Sequence, residues 1–228
     1  MCKDLSKLLK PIIESVPTNI KGTKDLALKL SKLELPCKCT WYFVTGNVVA
    51  FYPNIPLDKC LHIVQQQYEY CYGNETDEEK SQTTLFVDTL KTGNKNLILQ
   101  YNNQYFLQKN SLAMGVSDSP DLATLFGWAF EMQANVMTDL RIPFYGRFID
   151  DILMIVYASS EAEALQITSI IQFNGCKIEW GTSNHYTTFL DMTLYCNSEN
   201  RVQHMPYRKI RSHQERIPWI SHHLLDVK

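Results

Sequence analysis

The sequence predicts an α+β fold in which helices pack on one face of an antiparallel sheet. Three observations predict it. Residues 41–49 are rich in aromatic and β-branched types, as a strand requires. Residues 57–93 carry apolar groups at helical spacing, and residues 144–156 form two short apolar runs reversing direction around Asp150 and Asp151. With 228 residues, 45% of them hydrophobic, the chain fills the core of one large domain or a domain and a half.

The elements follow in chain order. Leu26, Leu30 and Leu33 share one face behind Thr23 as a cap, which predicts a short helix ending before Pro36. The strand at 41–49 breaks at Tyr52-Pro53-Asn54, and Leu57, Leu61, Val64 and Tyr68 mark a helix. Residues 74–82 are strongly polar and predict a surface loop before a second helix ending near Gly93. Residues 97–101 and 105–108 flank Asn102-Asn103-Gln104 as a hairpin. Ser119 followed by Pro120 is a cap and first-turn pair, and the apolar pattern beyond runs to about Leu140, predicting the longest helix. Ser160 and Glu163 form a capping box for a helix carrying Leu165, Ile167, Ile170 and Ile171. Residues 176–180, 187–195 and 202–207 read as closing strands. There is no internal repeat or low-complexity tract.

Composition narrows the setting. The seven cysteines are odd in number and lack paired CxxC spacing, so they read as reduced thiols in an intracellular compartment, nuclear or cytoplasmic. No run approaches the roughly 20 apolar residues of a membrane helix, and Met1-Cys2-Lys3-Asp4 does not open a secretory signal. No membrane partner is expected, and the Asn74-Glu75-Thr76 sequon is expected to stay unmodified. A formal charge of −2 is unusual for a chain that contacts phosphates. From Arg201 onward, however, six Lys and Arg face two acids, with Arg208, Lys209, Arg211 and Arg216 close together. A solvated face is the competing account of that run.

The chemistry concentrates at Phe148-Ile149-Asp150-Asp151. Adjacent carboxylates repel, so a pair framed by apolar residues calls for a cation or solvent. A hairpin tip is where such a pair can hold a divalent metal; an ordinary exposed turn is the competing reading.

Further segments accompany it in a fixed order. They are Phe43-Val44-Thr45-Gly46-Asn47-Val48-Val49-Ala50-Phe51-Tyr52-Pro53-Asn54-Ile55-Pro56, then Leu112-Ala113-Met114-Gly115-Val116-Ser117-Asp118-Ser119-Pro120, then the Arg147-Phe148-Ile149-Asp150-Asp151-Ile152 core. Phe189-Leu190-Asp191 follows, and Tyr207-Arg208-Lys209 with Pro218-Trp219-Ile220-Ser221-His222-His223 completes the series. Five motifs in this order resemble the reverse transcriptases of Penelope-like retroelements.

The resemblance implies a polymerase palm, an antiparallel sheet packed on helices, with most of the fingers and thumb absent. Residues 1–40 would be an N-terminal helical remnant of the fingers and palm connection. Residues 41–207 would be the palm, and 208–228 a basic segment leading toward a missing thumb. Those parts, or an endonuclease, would be encoded alongside.

The implied reaction is RNA-directed DNA synthesis, with an RNA template, a DNA primer and dNTP as partners. Mg²⁺, or Mn²⁺ in its place, is the implied cofactor, as two ions ~3.5–4 Å apart that activate the primer hydroxyl and stabilise the leaving pyrophosphate. Asp150 and Asp151 would be metal ligands, with the Val48 backbone carbonyl and position 47 completing the set.

Beside them, Phe51 and Tyr52 would contact the nucleotide. Tyr52 stands where reverse transcriptases block a ribose 2′-hydroxyl, and packing beneath the turn is its competing reading. Met114 and Gly115 would lie against the template and nucleotide pair, with Ser119 fixing that loop beside the nucleic acid. Lys177 falls near a lysine able to protonate pyrophosphate, although a strand-edge charge also accounts for it. Arg208, Lys209, Arg211, His222 and His223 would grip primer or template.

One position departs from the pattern: Asn47 is neutral where the mechanism uses a carboxylate. Its amide oxygen can coordinate a cation but brings no charge, so activity is expected to be lowered by orders of magnitude or lost. A decayed or repurposed copy and a deliberate substitution both account for it. A non-enzymatic nucleic-acid-binding module is therefore the alternative function. An RNA-synthesising palm is disfavoured by Tyr52 and by the Pro-x-x-Ser-His-His segment.

Overall fold

The computed structural model describes residues 2–36, 39–95 and 97–207, with side chains from residue 7 onward. Helix α1 (Cys2–Ser15) buries Leu9 and Ile12, and α2 (Thr23–Ser31) buries Leu26 and Leu30. Gly22, not Thr23, holds the α2 cap position. Strand β1 (Trp41–Val48) leads through the one-turn helix α3 (Phe51–Asn54) into α4 (Leu57–Tyr72).

Helix α5 (Asp77–Lys95) starts inside the segment expected to be a loop. The reason is a second capping box. Thr76 Oγ1 accepts from the Glu79 amide at 3.2 Å, and the Glu79 carboxylate accepts from the Glu75 and Thr76 amides at 3.0 Å each. Asp77, Glu78 and Glu79 add negative charge at the positive helix end.

Strands β2 (Ile98–Tyr101) and β3 (Gln104–Leu107) form the expected hairpin on a tighter turn, with Gln104 inside the strand. Asn102 and Asn103 take φ 52° and 60°, the positive pair a two-residue turn needs. Helix α6 (Ser119–Gln133) is shorter than expected; at 15 residues it yields to the 19 of α5 as the longest among the described residues. Asn135 turns left-handed at φ 53° just beyond it, while Val136 and Ile142 stay buried from irregular chain, which prolongs the apolar pattern without the helix. The α6 cap position falls to Asp118, one residue before Ser119.

Strands β4 (Phe144–Phe148) and β5 (Asp151–Tyr157) pair antiparallel around Ile149 and Asp150. Helix α7 (Glu161–Ile167) carries the expected Ser160 cap, whose hydroxyl accepts from the Glu163 amide at 3.2 Å; the reciprocal bond comes from Ser159. A 3-10 turn (Thr168–Ile170) follows. Strand β6 (Ile178–Ser183) comes next, and the expected strand at 187–195 is two strands, β7 (Tyr186–Phe189) and β8 (Met192–Cys196), with β9 (Val202–Pro206) beside them. Leu190 at φ 52° makes the reversal between β7 and β8.

The main sheet runs β4-β5-β1-β6, and β7-β8-β9 forms a second sheet. Side chains alternate across a strand, so β1 and β5 feed two cores. Val44, Val48, Ile152, Met154 and Val156 meet α1, α4 and α6 on one face. Trp41, Phe43, Leu153 and Ile155 meet α2 and the second sheet on the other. The expectation of helices on one face is therefore corrected: both faces are covered, which is why β5 is an unbroken apolar run from Ile152 to Val156. Among the described residues Cys39, Cys60, Cys71, Cys176 and Cys196 are free thiols, and no helix is long and apolar enough to cross a membrane.

Candidate active site

Strand register assembles the site. Asn47 stands directly opposite Asp151 on β5 and opposite Glu179 on β6. Directly opposed residues of antiparallel strands share a face, so the three polar groups form a row across neighbouring strands. They border a recess closed by Thr188, Phe189 and Leu190 of the second sheet. Asn47 Nδ2 donates to Asp151 Oδ1 at 3.2 Å. The strand ends are pinned nearby, with the Val48 amide donating to the Asp150 carbonyl and the Val49 amide to the Lys177 carbonyl, both at 2.9 Å. Two left-handed residues, Ala50 at φ 51° and Ile149 at φ 56°, turn the chain sharply where β1 ends and before Asp150.

Electrostatics mark the same corner. Burial raises the Asp150 carboxyl above its ordinary range, and the adjacent Asp151 charge adds to the shift. Tyr52, half-buried, is raised by burial and then by the Asp150 and Asp121 carboxylates, which places its phenol within electrostatic reach of Asp150. A raised carboxyl binds its proton more tightly in the folded chain. Its contribution to stability is full below the unfolded carboxylate pKa and is lost as pH rises through the folded value. Asp150→Asn is therefore expected to raise the melting temperature at pH 7 in the absence of divalent cations, by a margin that shrinks as the pH falls into the carboxylate range. Thermal unfolding at several pH values checks this, and a margin independent of pH would contradict it.

The backbone superimposes on solved polymerases. Telomerase from Candida albicans, in complex with a fragment of telomeric RNA, matches with TM-score 0.66 at 11% identity over 88% of this chain and 37% of that one. A truncated apo telomerase from Candida tropicalis matches with TM-score 0.61 at 13% identity, over 88% and 45%. The RNA-dependent RNA polymerase of a human picobirnavirus matches with TM-score 0.56 at 12% identity, over 82% and 36%. The chain has the fold of a polymerase catalytic core. It spans less than half the length of these enzymes, and identities this low speak to the fold alone. No family model and no curated protein sequence matches it.

Within this fold the expected site residues separate into groups. Asn47, Val48, Asp150 and Asp151 come together at the strand ends, with Tyr52 beside them. Phe51 does not join them; it is 2% exposed and packs against Phe126 and Phe173, so its side chain belongs to the core. Met114 is exposed, and Gly115 adopts φ +91°, a conformation that favours glycine. Ser119 is fully buried at the start of α6. Lys177 is exposed, and its ammonium pairs with Glu179 at 2.8 Å, as an edge-strand charge does. Arg208, Lys209, Arg211, His222 and His223 lie outside the described residues.

Sequence reasoning passed over Glu179, whose only signal was its strand spacing from Lys177. It also passed over the Glu131 and Arg147 pair, buried directly behind the turn. As a cation site the donor set is incomplete. Among the described residues no three His, Cys, Asp or Glu side chains converge to hold a metal. Two hard carboxylates and one amide suit Mg²⁺ only as part of a shell that substrate and water complete.

Proposed function

We propose that the chain is the palm of an RNA-directed DNA polymerase, of the retroelement type that the Penelope-like motifs describe, with catalysis impaired by Asn47. One observation carries this: β1 and β5 set Asn47 opposite Asp151 and bond Val48 to Asp150, uniting two motifs that lie about a hundred residues apart in the sequence. Fold similarity to telomerase and to a viral RNA polymerase supports the class of chemistry.

In this proposal Asp150 and Asp151 hold Mg²⁺ or Mn²⁺ with the Val48 carbonyl, and Asn47 offers an uncharged oxygen. When bound, the cation supplies Lewis acidity to the reacting phosphate. Tyr52 places its ring beside Asp150, where it excludes a ribose 2′-hydroxyl, and Met114 and Gly115 face the nucleotide. The partners are an RNA template, a DNA primer and dNTP in an intracellular setting, nuclear or cytoplasmic. The Candida albicans telomerase was solved with an RNA fragment, which agrees with an RNA partner here.

A non-enzymatic nucleic-acid-binding module is the second reading, and Asn47 itself favours it. Primer extension on an RNA template with Mg²⁺ or Mn²⁺, comparing the chain with Asn47→Asp and supplying fingers and thumb segments in trans, separates the two. DNA synthesis gained by Asn47→Asp is expected. No synthesis by either protein, together with measurable RNA affinity, would leave the binding module. In the Asn47→Asp background, Tyr52→Val is expected to relax the preference for dNTP over NTP by roughly 10-fold to 100-fold. An unchanged preference in competition assays would remove Tyr52 from substrate selection.

A further inference from the structure

Arg147 lies on β4 facing α6, two residues before the left-handed Ile149, with its side chain 1% exposed. Its Nε donates to Glu131 Oε1, its Nη2 to the Thr124 carbonyl at 2.9 Å and its Nη1 to the Ile149 carbonyl at 2.9 Å. The guanidinium stands over the Phe173 ring at 5.7 Å. Glu131 is buried with it and accepts from Thr18 Oγ1 at 2.5 Å and Tyr145 Oη at 3.0 Å. The backbone of Arg147 is also fixed: its amide donates to the Thr18 carbonyl and its carbonyl accepts from the Ile20 amide, both at 2.8 Å.

A buried ion pair is a poor source of net stability, because apolar residues of similar volume pack about as well. Packing alone therefore leaves this arginine unexplained. What an apolar side chain lacks is a donor for the Ile149 carbonyl. That carbonyl belongs to a β-branched residue at φ 56°, a conformation such residues resist, and the next residue is Asp150. The fork spans from α6 to the turn, and Gly127 makes room for it, since a Cβ there would collide with the guanidinium.

We propose that Arg147 is a positioning residue that clamps the Ile149 peptide to α6, so that Asp150 and Asp151 leave β4 in a single geometry. The proposal rests on the reading of these aspartates as the cation site. Arg147 touches neither substrate nor cation. It acts through the peptide that aims the carboxylates.

The test removes the grip while sparing the fold. Arg147→Met with Glu131→Gln deletes both buried charges yet keeps a hydrogen-bonding amide beside Thr18 and Tyr145, its oxygen accepting from one hydroxyl and its NH2 donating to the other. Arg147→Lys retains a cation for Glu131 but cannot reach Thr124 and Ile149 at once. Hydrogen exchange is read at the Val48 amide, which bonds the Asp150 carbonyl, against Val44 deeper in the same strand. Mn²⁺ affinity is read in the Asn47→Asp background.

In either variant Val48 is expected to exchange about tenfold faster relative to Val44. Mn²⁺ is expected to bind about 10-fold to 100-fold more weakly. A variant that melts cooperatively with Val48 protected as before overturns the proposal; should the doubly substituted protein not fold, Arg147→Lys decides it. Faster Val48 exchange in a chain that binds no Mn²⁺ even with Asn47→Asp would uphold the clamp and refute the cation site.

Discussion

Glu131→Leu is expected to lower the stability of the chain by about 3–5 kcal/mol, a large fraction of what holds a domain of this size together. The change leaves the Arg147 guanidinium buried without its counter-charge, and it strips Thr18 and Tyr145 of their acceptor. Burial and the Glu131 charge also hold the Tyr145 hydroxyl well above its ordinary pKa, so that phenol stays a neutral donor. The stability loss comes from breaking the pair, and removing both charges together is expected to recover most of it. Denaturant unfolding of Glu131→Leu beside Arg147→Met/Glu131→Gln checks this. Equal midpoints for the two would contradict it, because the single change would then cost no more than the double.

Asn47→Asp is expected to act in opposite directions with and without cation. In the cation-free protein it replaces the amide that donates to Asp151 with a second carboxylate, on a strand whose other neighbour is Glu179. A lost hydrogen bond and a new like-charge contact are expected to destabilise the fold by about 1–3 kcal/mol. A divalent ion reverses this, since a ligand at 100 times its dissociation constant returns about 2.7 kcal/mol. The melting temperature of Asn47→Asp should thus rise on adding Mn²⁺ by more than that of the chain with Asn47. An equal rise would mean that position 47 does not face the cation.

Much of this was legible in the sequence because local chemistry set it. The β1 strand, the β4 and β5 pair around Asp150, and the Ser160 cap all sit where residue types put them. The coverage of both sheet faces had a signal, the unbroken Ile152 to Val156 run, that short apolar segments carry only ambiguously. Phe51 and Tyr52 show a harder limit. They are adjacent aromatics in a four-residue helix, too short for periodicity to tell which one enters the core. The Arg147 and Glu131 contact joins a strand to a helix through tertiary packing, and no spacing rule links an arginine to one particular glutamate.

Mn²⁺ titration followed by electron paramagnetic resonance tests the central claim directly, because it reads cation binding apart from catalysis. The chain with Asn47, Asn47→Asp and Asn47→Asp/Asp150→Asn are compared at one pH. Asn47→Asp is expected to bind about tenfold or more tightly than the chain with Asn47, and the further loss of Asp150 to cancel the gain. Equal affinity in all three would show that these strand ends do not form a cation site, and the polymerase proposal would fall with it.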